Sequence, residues 1–260
     1  MNKPPLGSLI NFEHSLARGL VGCWLMNERT GNKIYDLSGH GGVGTLTDIT
    51  WKGGKTGVIL NNVSATGQIN LPSNYNVLDN IKELTMITSL RPAVITGDGH
   101  IFNNKAADVS YMRIDTGGTD DWGFRIHDGT DSVSAGDDNS LPINTYNGYG
   151  NLIHIAMVFR ANDTLKIYFD AAEVKSVACP NVDFMSATAS NYVLINSGGP
   201  EYRGDIEYFY MYNRALSATE VEQLYINPYS MFDEDEKTGL WTAAQTTGGI
   251  VILRRRRECA

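Results

Sequence analysis

The chain reads as an all-β protein: two antiparallel sheets packed face to face, with one short helix late in the body. Three observations predict this. Short extended segments recur along the sequence, each bounded by Gly, Asn, Asp or Pro. Convincing helical spacing occurs in one late stretch only. Glycine is abundant (27 residues) while charged residues stay at 19%, the balance expected where many strands are joined by turns. A length of 260 residues suits one such sandwich, because all-β folds run past about 200 residues without dividing.

The elements follow in order. Residues 1–18, MNKPPLGSLINFEHSLAR, form an arm that Pro4-Pro5 stiffens into an extended shape suited to lying along another chain. The body, 19–226, opens on an apolar strand at Leu20–Met26, in which Cys23 and Trp24 are expected to be buried. Gly57–Asn61, Gln68–Leu71, Trp122–Ile126 and Tyr192–Ile195 are further short strands. Leu152–Phe159 and Leu165–Asp170 form a pair around the Asn- and Asp-containing loop Arg160–Thr164. In the second of these, Leu165, Ile167 and Phe169 make a dry face, while Lys166, Tyr168 and Asp170 make a partly wet one.

Gly204–Tyr225 then reads as strand, turn and helix. Strict alternation puts Asp205, Glu207, Phe209 and Met211 on one face, and Ile206, Tyr208, Tyr210 and Tyr212 on the other. Ser217 and Glu220 have the spacing of a capping box, Val221, Leu224 and Tyr225 follow at helical intervals, and Pro228 stops the helix. Residues 227–260 form a tail. Its Ile250–Leu253 run has strand character, and Arg254–Arg257 follows directly.

Charge and motif content exclude several functions. The net charge is −8, yet residues 233–260 hold five acidic and five basic side chains, so the whole excess lies on the body. An acidic body argues against nucleic-acid binding, which phosphate contacts dominate. No apolar run approaches the ~20 residues of a membrane span, and MNKPPLGS lacks the apolar core of a secretory signal. Three cysteines, Cys23, Cys179 and Cys259, cannot all pair within one chain. Gly54-Lys55-Thr56 mimics the end of a phosphate-binding loop, but Ile49 stands where its first glycine belongs. The five histidines show no ligand spacing. A glycoside hydrolase needs two carboxylates projecting into a cleft, for which Asp205 and Glu207 are the nearest pair; the expectation is a protein without catalytic residues.

Four ordered blocks carry a family resemblance. GLVGCWLMNERTGNKIYDLSGHGGVGTL (Gly19–Leu46) has an apolar strand, an Asn-Glu, a D-x-S-G and a glycine-rich turn. Glu83–Ala93, His100–Lys105 and Tyr111–Ile114 make the second block, Leu152–Asp170 the third and GDIEYFYMYNRALSATEVEQLY the fourth. Together they resemble the laminin G-like, concanavalin A-like jelly rolls over roughly Leu20 to Tyr225. Two positions depart. Ser89 sits where the family usually has Trp, and Ala171-Ala172 replaces an Asp-Gly hairpin turn, which implies a longer or differently twisted turn.

The resemblance implies a calcium at the sandwich rim, held by Asp36 with Asp205 or Glu207 and by loop carbonyls near Gly39–Gly41. The competing reading makes Asp36 an Asx-type turn residue and leaves Glu207 to pair with a neighbouring base. Tyr111, Trp122 and Tyr168, with Tyr208 and Tyr210, lie on strands and are candidate ring faces for a glycan; the alternative places such rings in the core. The opening PPLGSLINFEHSLARGLVGCWLMNE and the exit LYINPYSMF resemble laminin G-like proteins encoded among phage and prophage virion genes. This implies a structural protein at the virion surface, a capsid decoration or fibre-like oligomer with weak, avidity-driven glycan binding. Ile250, Val251, Ile252 and Leu253 would dock on a partner sheet edge of the capsid or tail, and Arg254, Arg255, Arg256 and Arg257 on its carboxylates. A free-standing, calcium-dependent carbohydrate-binding module and a glycoside hydrolase relative are the other classes kept open.

Overall fold

The structure, a computed structural model, describes residues 2–54, 57–64, 66–93, 99–103, 110–115, 121–136, 140–143, 145, 149–183, 185 and 202–232. The strand expected at Tyr192–Ile195, the docking residues Ile250–Arg257 and Cys259 lie outside these. In chain order the strands are β1 (Leu20–Trp24), β2 (Lys33–Ile34), β3 (Gly44–Thr47), β4 (Thr50–Gly54), β5 (Gly57–Asn62), β6 (Gln68–Asn70), β7 (Glu83–Pro92) and β8 (Gly99–Asn103). They continue as β9 (Tyr111–Asp115), β10 (Asp121–His127), β11 (Ser132–Gly136), β12 (Ile153–Arg160), β13 (Thr164–Phe169), β14 (Ala172–Ala178) and β15 (Gly204–Tyr212), and helix α1 (Ala218–Ile226) closes the series.

One large antiparallel sheet runs β14–β13–β12–β7–β15–β5–β4, and β1 joins it alongside the second half of β15. The pairing of Cys23 with Tyr210 and Trp24 with Phe209 ties the first and last strands of the body together. Two smaller sheets, β11–β10–β9–β8 and β2–β3–β6, complete the sandwich. The core between the layers takes Trp24, Met86, Phe102, Trp122, Phe159 and Phe209, all buried. Trp24 donates its indole N–H to the Gly42 carbonyl at 2.6 Å, which satisfies its one polar atom.

The far side of the large sheet carries a second apolar layer. Ile87, Ala156, Tyr210 and Tyr212 point outward and are covered by Leu16, Val221, Leu224 and Met231. The capping box forms as its spacing requires: the Ser217 hydroxyl accepts from the Glu220 amide, and the Glu220 carboxylate accepts from the Ser217 amide at 2.9 Å. Residues of the amino-terminal arm take part in this layer. Ile10 bridges to Phe232, and the Asn11 amide donates to the Met231 carbonyl at 2.8 Å.

Two local expectations are corrected. Alternation along β15 breaks at Glu207, where a bulge leaves Ile206 opposite Leu90 and Tyr208 opposite Ser89. The extra residue shifts the faces, so Ile206, Phe209 and Met211 all enter the inner core while Tyr208, Tyr210 and Tyr212 face outward. The hairpin after β13 is also not lengthened. Phe169 pairs with Ala172, and the two-residue turn between them has Asp170 at φ 49° and Ala171 at φ 68°. Both central residues are left-handed, as a tight type I′ turn demands, although neither is glycine.

Candidate functional site

The site grows from the first half of β15. Gly204 starts that strand at φ 141°, so close to β7 that an added Cβ would lie 2.1 Å from the Arg91 carbonyl; only glycine fits. Asp205 then projects onto the outer face. It accepts from Lys52 Nζ at 3.1 Å and from Asn61 Nδ2 at 2.7 Å, with Arg91 Nε 3.8 Å away. Glu207, pushed outward by the bulge, is buried beside it. Across β7 and β12 the outward positions are Ser89 and His154, which pair with each other, while Tyr208 flanks Ser89 on the opposite side.

These side chains floor three adjoining depressions on the outer face of the large sheet. The first, about 330 Å³, is lined by Lys52, Asn61, Asn62, Arg91, Arg203 and Asp205. The second, about 250 Å³, shares Lys52, Arg91 and Asp205 and reaches Leu152 and Glu207. A third, about 300 Å³, continues from Leu152 and Glu207 to Ser89, His154, Asp170 and Tyr208, with Tyr225 and Ile226 of α1 as its wall. Together they make a groove that crosses β4, β5, β15, β7 and β12. At ~4.8 Å between neighbouring strands its span is about 19 Å. One end is basic, from Lys52, Arg91 and Arg203, and the other acidic, from Asp170 and Glu207.

His154 is the most unusual group in the groove. It is 5% exposed, and neither ring nitrogen has a hydrogen-bond partner among the described residues. Burial holds its imidazole down to about 3, so the ring is neutral at physiological pH. Tyr225, 45% exposed, meets the ring edge-on at 5.6 Å, and Tyr208 lies tilted at 6.2 Å. Leaving a buried polar group unpaired costs about 1–3 kcal/mol. On the other side of the bulge, Lys3 of the arm is buried and donates to the Met26 carbonyl at 3.3 Å. Burial lowers its ammonium to about 7, against the opposing pull of Glu207 and Glu28.

The residues singled out from the sequence are placed differently. Asp36 sits at β1: its Oδ1 accepts from the Cys23 and Ser38 amides, both at 2.9 Å, and its Oδ2 from the Gly42 amide at 3.1 Å. Cys23 pairs with Tyr210, five residues along β15 from Asp205, or about 16 Å at ~3.3 Å per residue. Asp36 therefore does not converge with Asp205 or Glu207, and its carboxylate holds three backbone amides instead. Among the described residues no three His, Cys, Asp or Glu side chains cluster to hold a metal. The carboxylates Asp36, Asp205 and Glu207 are thus not gathered into one site.

The expected glycan platforms are also redirected. Trp122 is wholly buried against Phe169, at 5.6 Å between ring centres, and offers no face to solvent. Tyr168 is buried, with its hydroxyl donating to Glu173 at 3.0 Å; burial and that carboxylate push it up to about 12. The Tyr111 ring is covered by the Arg113 guanidinium at 4.7 Å. Tyr208 and Tyr210 stack on each other at 4.7 Å with little exposure. Sequence reading missed Lys52, Arg91, His154 and Tyr225. The one available signal was the polar side chain His154 between Ile153 and Ile155, at a strand position that must face away from the core.

Comparisons with known proteins agree with this architecture. The sequence profile of Laminin_G_3, the concanavalin A-like lectin/glucanases superfamily, matches residues 63–222. No curated protein sequence matches the chain. Among solved structures, the binding domain of Paraclostridial mosquitocidal protein 1 superposes with a TM-score of 0.67 at 16% identity, over 83% of this chain and 54% of that one. The receptor-binding domain of botulinum neurotoxin D gives 0.65 at 15% identity, over 83% and 54%. This chain thus spans about half the length of the toxin domains it matches. Domain 4 of AbnA, a GH43 extracellular arabinanase from Geobacillus stearothermophilus solved with arabinotriose, gives 0.60 at 18% identity, over 79% of this chain and 98% of that domain.

Proposed function

The chain belongs to the concanavalin A-like lectin/glucanases superfamily, and on that footing we propose that it is a non-catalytic carbohydrate-binding protein whose groove across the large sheet holds an oligosaccharide. The observation that carries this reading is the groove itself: about 19 Å of surface lined by polar side chains from five strands. Its similarity to an arabinanase domain solved with arabinotriose supports a sugar ligand. The carboxylate pair needed for hydrolysis is poorly disposed, because Asp205 is held by Lys52 and Asn61 instead of facing a scissile bond unencumbered. A glycan array with the full chain tests the reading. Binding to a restricted set of oligosaccharides, unchanged by a calcium chelator and without cleavage products, is expected. A flat array, or release of reducing ends, contradicts it.

The setting in which this binding operates is a separate matter. The opening and exit segments resemble those of virion-encoded laminin G-like proteins, which supports display on a phage particle as a capsid decoration or fibre-like oligomer. Many copies would then multiply a weak single-site affinity. Mass spectrometry of purified particles should find the chain in multiple copies, with capsid or tail proteins as its attachment partners. Its absence from particles overturns that placement and leaves the carbohydrate reading intact.

A further inference from the structure

Independently of the sugar reading, we propose that the start of the amino-terminal arm is a latch on the large sheet, with Lys3 as its bolt, and that the arm leaves the body more readily as the pH falls through the mildly alkaline range. The bolt lies at a seam. β7 takes one edge of β15, and β5 and β1 share the other, β5 along Gly204–Ile206 and β1 from Phe209 onward. Glu207 and Tyr208 fall between those two registers. Lys3 touches both flanks of this gap. Its stem runs past Gly57 of β5, where an added Cβ would lie 3.8 Å from Lys3 Cβ and 3.9 Å from its Cγ and Cδ. Its Nζ donates at 3.3 Å to the carbonyl of Met26, two residues past the end of β1. A second tie holds the next residue: the Asn27 side-chain amide donates to the Pro4 carbonyl at 2.9 Å. Pro4 and Pro5 have no amide N–H of their own, so side chains supply these ties.

The charges around the bolt decide how the latch responds to pH. Glu207 comes from β15 and Glu28 from the loop after β1, while β5 contributes the uncharged Gly57. Burial outweighs the pull of both carboxylates, so the docked amine titrates at about 7, against 10.5 for a solvated lysine. Between those values the released arm binds a proton that the docked arm excludes. Docking therefore tightens as pH rises and weakens as it falls, close to tenfold for each pH unit across that window. The Glu28 carboxyl is pushed up by its own burial and responds in the opposite sense, which confines the test to alkaline pH, where carboxyls are ionised. A released arm keeps its stiff Pro4-Pro5 stretch, so opening turns a segment lying on its own body into one able to lie along another chain.

The test pulses the full chain with acetic anhydride at about pH 7.5 and about pH 9.5, with N-acetyl-lysine amide as internal standard, and reads acetylation at Lys3 by mass spectrometry. The standard should react close to tenfold faster for each pH unit. Lys3 should react through its open, neutral form, whose ratio to the closed, neutral form does not depend on pH, so its rate should change by less than about threefold. Asn27→Ala removes the tie to Pro4 without altering Lys3, and should raise Lys3 acetylation about threefold or more at both pH values. A Lys3 rate that climbs in step with the standard overturns the proposal, and this measurement on the parent stands even if Asn27→Ala does not fold. Acetylation unchanged in a folded Asn27→Ala chain overturns it as well.

Discussion

Ser89 and His154 pair directly across β7 and β12, and both point away from the core. This places a short hydroxyl side chain beside a buried imidazole on the outer face of the large sheet, next to Tyr225 and Ile226 at the end of α1. Elsewhere on that face the outward residues are apolar and capped.

Stability should depend on the charge state of His154. Its imidazole titrates near 6.5 when exposed and near 3 in the fold, with Asp170 and Glu207 the carboxylates that face it. Between those values the unfolded chain binds a proton that the folded chain excludes. Stability therefore falls as pH drops from 6.5 towards 3, by roughly 4–5 kcal/mol at full extent. Urea denaturation at pH 7 and pH 4 should show a smaller loss for His154→Phe than for the parent. Parallel losses would mean that other groups govern acid sensitivity.

Asp36 should behave as a structural residue. Its carboxylate fastens β1 to the loop at Ser38–Gly42 through three amides. Asp36→Ala is expected to cost about 2–4 kcal/mol in urea denaturation. A chelator should leave the melting temperature of the parent unchanged. A chelator-induced drop would instead assign this carboxylate to a metal.

The turn after β13 carries strain that a substitution can relieve. Ala171 occupies φ 68° in a tight hairpin, a conformation that costs an L-residue about 1 kcal/mol or more. Ala171→Gly should stabilise by about 0.5–1 kcal/mol, and Ala171→Val should destabilise, since branching at Cβ worsens the clash. Equal urea midpoints for all three would remove strain from the account.

Much of the fold was legible because local chemistry and tertiary packing agree. Trp24 and Phe209 fall on apolar strands that pair, and Ser217 with Glu220 caps α1 as the spacing requires. What escaped were features with no local signature. The bulge at Glu207 adds one residue without altering the apparent alternation, so Asp205 and Glu207 do not share the face of Phe209 and Met211 as the pattern alone implies. Nothing in Asp170-Ala171 advertises two left-handed residues, because glycine is the usual sign. The groove is assembled from Lys52, Arg91, His154 and Asp205, which lie on four strands far apart in sequence. Aromatic residues drew attention as sugar platforms, yet Trp122 and Tyr168 go where their area is best buried.

The central claim, a sugar lying across the outer face of the large sheet, is tested most directly by a crystal structure of the full chain with an oligosaccharide selected on the array. The account predicts the sugar over β4, β5, β15, β7 and β12, in hydrogen-bond contact with Asp205 or Arg91. A sugar bound on β8–β11, or at the loops around Asp36, would contradict it.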